Sequence, residues 1–316
     1  MVRFLYKTYL KQQTQKEEGI YMEQITREEM IRMAVETRKK VTAVVVTPEQ
    51  LEEYPVTLEH LAIPTRVGDA LAYFAYCGEK EKVTPLVINM HGGGFIRSRT
   101  ESDELFCRKL VHALECKTLD LDYRVAPEFP FPTGLHECYD VVKWAFEHAA
   151  ELGADPGKII LMGHSAGGNL VAGITMMALE SKEFMPALNV MDYPPLDLYT
   201  EPGDKPQRGK SVPAERARLY NLYYCERELQ NNYLASPYYA TEEQVTGFPA
   251  TLVITAGEDS LCTEAEEFAL KVARAGSEVT MKRFLGCGHG FTIYGMPGAE
   301  EAFALIEKFV KTGLKA

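Results

Sequence analysis

One stretch of the chain, residues 158–180, constrains the fold more than any other. Four apolar residues, 159–162, precede the sequence Gly163-His164-Ser165-Ala166-Gly167, and a mostly apolar run, 170–179, follows it. A short continuous apolar run is typical of a strand buried on both faces of a parallel sheet. A longer run that is apolar on nearly all sides is typical of a helix packed against that sheet. The stretch therefore predicts a strand, a tight turn and a buried helix.

The turn between this strand and this helix carries the motif Gly-x-Ser-x-Gly. So tight a turn strains the backbone of its serine, and the glycines on either side leave room for the strand and helix to pass. The strain points Ser165 Oγ outwards, where N–H groups at the start of the helix favour a developing anion. Small residues here would also serve close packing alone. A phosphate-binding loop is excluded, because no Gly-Lys-Ser/Thr follows a glycine loop and the nearest Gly-x-Gly-x-x-Gly match ends in Phe291.

Composition and charge exclude several classes of protein. The chain has 316 residues, which suffices for one large α/β domain with a lid, and its net charge is −11. Because no stretch concentrates Lys and Arg, we expect neither nucleic acid nor a membrane as a partner. Residues 1–10 lack the apolar core of a signal peptide, and no apolar run approaches the roughly 18 residues that span a bilayer. Seven scattered cysteines favour free thiols and a cytoplasmic location.

The order of predicted elements indicates an α/β fold. Strands alternate with helices, which predicts a mostly parallel central sheet flanked by helices. The pattern breaks at residues 195–246, a long insertion that ends in a tyrosine-rich stretch. Long insertions in α/β domains are usually functional or disordered, and the aromatic content argues against disorder. We therefore predict a helical cap over the carboxyl edge of the sheet, where ligands bind in such folds.

Residues 1–56 are predicted to form the other part of this cap. Capping boxes at Thr26–Glu29 and Thr47–Gln50 each begin a helix. These helices would alternatively cover one face of the sheet. The chain is predicted to consist of four segments: an N-terminal helical cap segment at 1–56, the first part of the α/β core at 57–194, the cap insertion at 195–246 and the second part of the α/β core at 247–316.

Candidates for nucleophilic catalysis follow predicted strands. A serine nucleophile needs a base to accept its proton, a group to orient that base, and donors for the oxyanion. His289 follows the strand that ends at Phe284, and Asp259 follows the strand that ends at Thr255. The chain order Ser165, Asp259, His289 is the order found in α/β hydrolases. The sequence therefore predicts that Ser165, Asp259 and His289 are catalytic.

Each of these residues also has a structural explanation. A histidine in a glycine loop can be purely structural, and Asp259 can cap the following helix. Glu258 and Glu264 are alternative acids. Glu258 adjoins Asp259, so its side chain is expected to point away, and Glu264 lies within a predicted helix, where we expect it to be solvated. The position of all three candidates just past a strand favours the catalytic interpretation.

A second glycine-rich loop supplies candidate oxyanion donors. His91-Gly92-Gly93-Gly94 follows a buried strand, and consecutive glycines let main-chain N–H groups approach a substrate oxygen without hindrance. We expect the oxyanion to be held by Gly92, Gly93 and Ala166, with Gly94 as the alternative to Gly92. A flexible hinge is the other interpretation of the glycines.

Together these motifs resemble the hormone-sensitive-lipase-like esterases, the α/β-hydrolase group with His-Gly-Gly-Gly before the nucleophile turn. The resemblance runs from about Pro85 to the end of the chain. Its markers are the segments 91–95, 122–128, 163–169, 259–261 and 289–291. It implies an α/β-hydrolase fold, carboxylic ester hydrolysis and a lid from the N-terminus and the insertion. Three residues depart from the family's usual pattern: His164 replaces Asp, Val125 replaces Leu and Ser260 replaces Pro.

The sequence thus predicts a serine esterase that cleaves short acyl esters, acetyl to butyryl, through an acyl-enzyme. Bulky tyrosines in the predicted cap favour a narrow site. The mean hydropathy of the chain, −0.18, gives no indication of the large apolar mouth of a lipase. Two alternatives stay open: the enzyme cleaves amides, or the protein is a non-catalytic small-molecule receptor on the same fold. The presence of His289 argues against the receptor.

The expected partner is a small ester. No cofactor or metal is expected, since histidines and cysteines lack metal-ligand spacing, and a homo-oligomer is compatible with the sequence.

Overall fold

The computed structural model describes residues 26–40 and 44–315, and the chain divides into two units, Met1–Thr42 and Ala43–Ala316. The first unit contributes helix α1 (Arg27–Lys40). Its predicted capping box is confirmed: the N–H and Oγ1 of Thr26 both donate to Glu29 Oε2 over 2.9 Å, and the Glu29 N–H donates to Thr26 Oγ1 over 3.3 Å. The rest of the predicted N-terminal cap segment before Thr26 lies outside the described residues.

The second unit is built on one eight-stranded sheet. Its strands are β1 (Thr57–Ile63), β2 (Ala70–Tyr76), β3 (Thr84–Met90), β4 (Lys117–Asp122), β5 (Ala154–His164), β6 (Leu188–Asp192), β7 (Ala250–Ala256) and β8 (Val279–Phe284). They lie in the order β1-β2-β4-β3-β5-β6-β7-β8. The β1–β2 and β2–β4 pairs are antiparallel, and all other pairs are parallel. The predicted mostly parallel sheet is confirmed.

Helices cover the sheet. The helices of the second unit are α2 (Pro48–Glu52), α3 (Glu101–Leu114), α4 (Thr133–Glu147), α5 (Ala166–Ser181), α6 (Ala214–Tyr224), α7 (Cys262–Arg274) and α8 (Ala299–Gly313). On one face, α3 and α8 bury Phe106, Leu110 and Ile306 against the strands. Helix α5 packs on β3, β5 and β6, and α4 packs on α5. Within the described residues, no helix is long and apolar enough to cross a bilayer.

The insertion at residues 195–246 lies between β6 and β7 and adds no strand to the sheet. It contains α6 and three short 3-10 helices, Arg227–Leu229, Pro237–Tyr239 and Glu243–Val245. Because β3, β5, β6, β7 and β8 are parallel, the loops that follow them meet at one edge of the sheet. The predicted site residues lie in these loops, except Ala166, which is the first residue of α5.

Candidate active site

The strand, turn and helix predicted around Ser165 are confirmed. Strand β5 ends at His164 and α5 begins at Ala166, so Ser165 alone forms the turn, with φ 51° and ψ −118°. A positive φ is strained for a residue with a side chain. The Ser165 N–H donates to the carbonyl of Asp192, 2.8 Å away at the end of β6. The neighbouring strand therefore holds the nucleophile turn in its strained conformation.

The glycines of the motif permit a very close approach between α5 and the sheet. A Cβ on Gly167 would overlap the carbonyl oxygen of Met90, and a Cβ on Gly163 would overlap the backbone of Gly167. Since both neighbours are backbone atoms, they cannot move aside as a flexible side chain would. Any side chain at either position would therefore push α5 away from the ends of β3 and β5.

Ser165, His289 and Asp259 lie far apart in the sequence, and the fold brings them together. Ser165 Oγ lies 2.8 Å from His289 Nε2, and His289 Nδ1 lies 2.6 Å from Asp259 Oδ2. Asp259 is fully buried, whereas 16% of the His289 side chain remains exposed. Both separations are hydrogen-bond distances, so the imidazole links the hydroxyl to the carboxylate. A hydroxyl, an imidazole and a buried carboxylate connected in this way can act as nucleophile, base and orienting acid.

The environment of His289 raises its pKa above the ordinary value of 6.5. Burial lowers the pKa, but the charge and hydrogen bond of Asp259, together with the more distant charge of Asp192, raise it by more. Tyr193 packs its ring against the imidazole at 5.1 Å with an interplanar angle of 63°. Tyr193 belongs to none of the sequence motifs, although its place directly after β6 matches that of the other site residues.

The glycine loop after β3 lies against the nucleophile turn. A Cβ on Gly92 would lie 3.4 Å from the Cβ of Ser165, so the loop backbone adjoins the serine. Ala166 is the first residue of α5, and its N–H has no partner within the helix. Gly93 and Gly94 have positive φ angles of 116° and 63°, and side chains there would meet Arg97 and Tyr220, respectively. Gly92 and Ala166 are thus the predicted donors that directly border Ser165.

The segment that follows β4 supports this glycine loop. The Tyr123 hydroxyl donates to the His91 carbonyl over 3.0 Å, and the two rings stack at 4.1 Å with an interplanar angle of 6°. The Ala126 N–H donates to the Phe95 carbonyl over 2.8 Å. In the sequence these residues were only markers of a family pattern. Their contacts hold the first and last residues of the glycine loop in place.

Known proteins share this fold and sequence pattern. A family model described as the α/β-hydrolase fold matches residues 87–293. Over 245 residues the chain is 30% identical to an arylesterase of Saccharolobus solfataricus, and the match covers 77% of each protein. The chain belongs to the α/β-hydrolase fold family. The hydrolase also matches the structure of EstE1, a carboxylesterase cloned from a metagenomic library, with a TM-score of 0.77, 30% identity and coverage of 92% of this chain and 98% of that one.

Within the family, the hydrolase groups with the hormone-sensitive-lipase-like esterases, as its motifs imply. A stretch of 93 residues is 41% identical to the hormone-sensitive lipase of Bos taurus. This match covers 29% of the hydrolase and 12% of the lipase. The predicted fold and family are therefore confirmed, and the hydrolase is an enzyme of the carboxylesterase type.

His164, which departs from the family pattern, forms a second imidazole–carboxylate pair beneath the nucleophile. Its Nδ1 lies 3.0 Å from Asp192 Oδ2, and both side chains are buried. Burial raises the pKa of Asp192, although His164 lowers it. The ring of Phe106 meets the His164 ring edge-on at 4.6 Å. His164 therefore joins the end of β5 to β6 beside Ser165, a role that its position in the motif did not reveal.

The prediction that Glu264 is solvated is wrong. Its side chain is buried, and its Oε1 accepts hydrogen bonds from the N–H groups of Leu196 and Asp197 at 2.8 and 3.0 Å. The Nζ of Lys205 lies 2.5 Å from Glu264 Oε2. Burial raises the pKa of Glu264 to about 7, although Lys205 lowers it. Glu264 therefore fixes the start of the insertion to α7 and does not face His289.

Replacing Glu264 with glutamine is expected to lower the free energy of unfolding of the hydrolase by about 3 kcal/mol, because it leaves Lys205 buried without a counter-charge. Urea unfolding measures the change. The double variant Glu264→Gln, Lys205→Met should be more stable than the single variant, since it removes both charges. If the single variant unfolds at the same urea concentration as the wild type, the ion pair does not stabilise the insertion.

A short segment of the insertion, residues 208–211, joins the loops that carry Asp259 and His289. The Lys210 N–H donates to the Glu258 carbonyl, and the His289 N–H donates to the Lys210 carbonyl, both over 3.1 Å. Two further bonds run from Ser260 N–H to Ser211 Oγ (2.8 Å) and from Arg208 Nη1 to the Gly257 carbonyl (3.1 Å). We name residues 208–211 the strap. The strap sets the spacing between the acid loop and the histidine loop.

The tyrosines of the insertion lie in two separate places. Tyr224 stacks on Phe95, with ring centroids 3.7 Å apart, and Tyr220 lies against Gly94. Tyr238 instead lies beneath Lys271 of α7, whose Nζ is 5.4 Å from the ring centroid. Tyr239 packs edge-on against Tyr238 at 5.2 Å. Tyr220 and Tyr224, and not Tyr238 and Tyr239, therefore shape the surroundings of the glycine loop.

Proposed function

We propose that this hydrolase cleaves carboxylic esters of short acyl chains, acetyl to butyryl, with Ser165, His289 and Asp259 as its catalytic residues. The observation that carries the proposal is the continuous hydrogen-bonded path from Ser165 Oγ through His289 to Asp259, at 2.8 and 2.6 Å. A positive φ at Ser165 supports the same assignment, because it presents the hydroxyl at the turn between β5 and α5.

In the proposed mechanism, Ser165 Oγ attacks the ester carbonyl while His289 Nε2 accepts its proton. The carboxylate of Asp259 holds the Nδ1–H of the ring and stabilises the imidazolium that forms. The imidazolium then protonates the leaving alcohol, which departs and leaves an acyl-enzyme. Water then attacks the acyl carbonyl while His289 accepts its proton. The acyl–Ser165 bond breaks as the imidazolium returns this proton to Ser165 Oγ, and the carboxylic acid is released.

The oxyanion of each tetrahedral intermediate is held by main-chain N–H groups of Gly92, Gly93 and Ala166, with Gly94 as the alternative to Gly92. Preformed donors of this kind stabilise the charge that develops in the transition state and need no reorganisation. A Cβ on Gly92 would lie 3.4 Å from the Cβ of Ser165, whereas a Cβ on Gly94 would meet Tyr220, so the position of Gly92 favours it over Gly94. The support from Tyr123 and Ala126 keeps these donors in position.

We extend the proposal to the organisation of the chain. Residues 57–194 and 247–316 form the core, and 195–246 form the cap insertion, which is supported by Tyr220 against Gly94 and by the strap. All seven cysteines are free thiols, which supports a cytoplasmic location. The partner is a small ester, and the hydrolase acts alone or as a homo-oligomer.

Activity is expected to be highest with acetyl to butyryl esters. Each added methylene contributes about 0.8 kcal/mol of burial only while the site can hold it, and Tyr220 and Tyr224 crowd the glycine loop. The test is kcat/KM for p-nitrophenyl esters from two to sixteen carbons, measured below and above their solubility limits. Anilides of the same acids test for amide cleavage. A maximum at twelve carbons or beyond, or a jump in rate when droplets form, would contradict the short-chain proposal.

The pH dependence should report the pKa of His289. Only the neutral imidazole can accept the serine proton, and Asp259 and Asp192 raise the pKa of the ring above 6.5 despite its burial. We therefore expect kcat/KM to be low in acid and to rise through one ionisation with its midpoint above pH 6.5. A stopped-flow or plate assay with p-nitrophenyl acetate between pH 5 and 9 measures the midpoint. A rate that does not change over this range would argue against histidine as the base.

A further inference from the structure

We infer that the natural ester of this hydrolase carries a negative charge, and that Arg97 recognises it beside the glycine loop. This inference rests on the proposed esterase function and adds the class of substrate: a short ester with a carboxylate on its acyl or its alcohol part.

The inference begins from a small cavity next to the nucleophile. The cavity opens on Gly92 and Gly93, and Arg97, Ile293 and Tyr294 line its sides. Gly92 adjoins the Ser165 side chain. A substrate whose ester carbonyl lies at Ser165 can therefore place a neighbouring group in this cavity. Arg97 therefore stands where it can contact the part of the substrate beyond the reacting carbon.

Arg97 has no acidic partner among residues 26–40 and 44–315, and its side chain is only partly exposed. Arg99, two residues further on, behaves differently, since its guanidinium pairs with Asp120 at 2.5 Å and with Glu104 at 3.2 Å. Acidic side chains are in excess in this chain, 45 against 34 basic ones. A shortage of carboxylates therefore does not explain why the arginine at this cavity lacks an ion pair.

One carboxylate, Asp103, does line the same cavity, but it has partners of its own. Its Oδ2 accepts hydrogen bonds from the N–H and the Oγ1 of Thr100, at 2.9 and 2.8 Å. It also lies in the first turn of α3, where the positive end of the helix dipole offsets a negative charge. Arg97 is thus the charged hydrogen-bond donor that a ligand in the cavity can reach.

A second arginine strengthens the positive charge at this edge of the glycine loop. Arg216 lies one turn before Tyr220 on α6, and Tyr220 lies against Gly94. Burial raises the pKa of the Tyr220 hydroxyl, and the nearby charges of Arg216 and Arg97 lower it. The charges of both guanidiniums therefore act on the same hydroxyl, that of the tyrosine beside Gly94. A planar guanidinium offers paired N–H donors that match the two oxygens of a carboxylate.

The test uses two matched pairs of esters that differ only in charge. Ethyl hydrogen glutarate and ethyl glutaramate place the carboxylate or its neutral amide on the acyl side. The pair 4-acetoxybutanoate and 4-acetoxybutanamide places it on the alcohol side. Hydrolysis is followed at constant pH by base consumption. The wild-type enzyme is expected to cleave the charged member of at least one pair with a higher kcat/KM than the neutral member, and the pair concerned identifies the side of the ester that Arg97 contacts.

The Arg97→Gln variant should lose this preference. A hydrogen bond to a charged group contributes enough for roughly a tenfold to hundredfold loss in kcat/KM for the charged ester, whereas the neutral ester should be cleaved as before. Arg274→Gln, which removes an exposed arginine at the end of α7, makes the same change in net charge and should leave both values unchanged. This control separates a contact at the cavity from the general field of the protein.

Two results would overturn the inference. One is a wild-type enzyme that cleaves the neutral member of both pairs as well as the charged member. The other is an Arg97→Gln variant that keeps the wild-type preference for the charged ester, whether its activity is unchanged or falls equally on charged and neutral esters. Neither result affects the proposed esterase function, which would fail only if the wild-type enzyme cleaved none of the four esters and none of the p-nitrophenyl esters.

Discussion

Replacing Ser165 with alanine is expected to lower kcat by roughly 10⁴-fold or more, because removal of the nucleophile leaves only substrate binding and the oxyanion donors. The variant should also fail to react with a fluorophosphonate probe, which labels activated serines covalently. Alanine keeps the Cβ at this position, so the backbone strain at Ser165 does not change. Circular dichroism and thermal unfolding should therefore match the wild type.

Ser277→Ala is a suitable control for the labelling experiment, since Ser277 lies between α7 and β8, away from the nucleophile turn. This variant should label fully and keep its activity. A Ser165→Ala protein that folds and still takes up the probe would show that another residue is the nucleophile, and the proposed mechanism would then be wrong.

Replacing Asp259 with asparagine should reduce kcat by about 10³- to 10⁴-fold. The asparagine amide would replace the carboxylate oxygen that lies 2.6 Å from His289 Nδ1, and would therefore face that nitrogen. An amide N–H at this position favours the tautomer with its proton on Nε2, and that tautomer cannot accept the proton of Ser165. Steady-state kinetics with p-nitrophenyl acetate measures the loss. The rate at which the fluorophosphonate probe labels the variant would show whether Ser165 is still activated.

Glu258→Gln provides the matched control, because it removes a neighbouring carboxylate with the same change in charge. Glu258 contacts the strap through its backbone carbonyl, which the substitution keeps. Its kcat should stay close to that of the wild type. If Glu258→Gln lost activity and Asp259→Asn kept it, Glu258 would be the acid of the mechanism.

The convergence of the three catalytic candidates could be predicted from the sequence for a physical reason. Each follows a strand, and parallel strands end at the same edge of the sheet. Ser165 follows β5, Asp259 follows β7 and His289 follows β8. The motif with Ser165 also predicted the strained turn, since only glycine fits at positions 163 and 167. Local sequence therefore contained most of the information about this part of the site.

The contacts that depend on the insertion could not be predicted in the same way. A helical pattern shows that Glu264 lies in α7, but it does not show that Lys205 and the backbone of Leu196 cover it. Likewise, the pairing of His164 with Asp192 depends on which strand lies beside β5. Neither fact is encoded within a short window of sequence, because each joins residues that only the completed fold brings together.

The strap has a consequence for engineering this enzyme. Its backbone bonds both to His289 and to the loop of Asp259, so a replacement that changes the backbone path of residues 208–211 would change the spacing of the catalytic groups. The part of the insertion from α6 onwards meets the glycine loop through the side chains of Tyr220 and Tyr224. Grafts from related esterases should therefore begin at Ala214. Such chimaeras would inherit a new substrate range from the donor while retaining the catalytic geometry of the recipient.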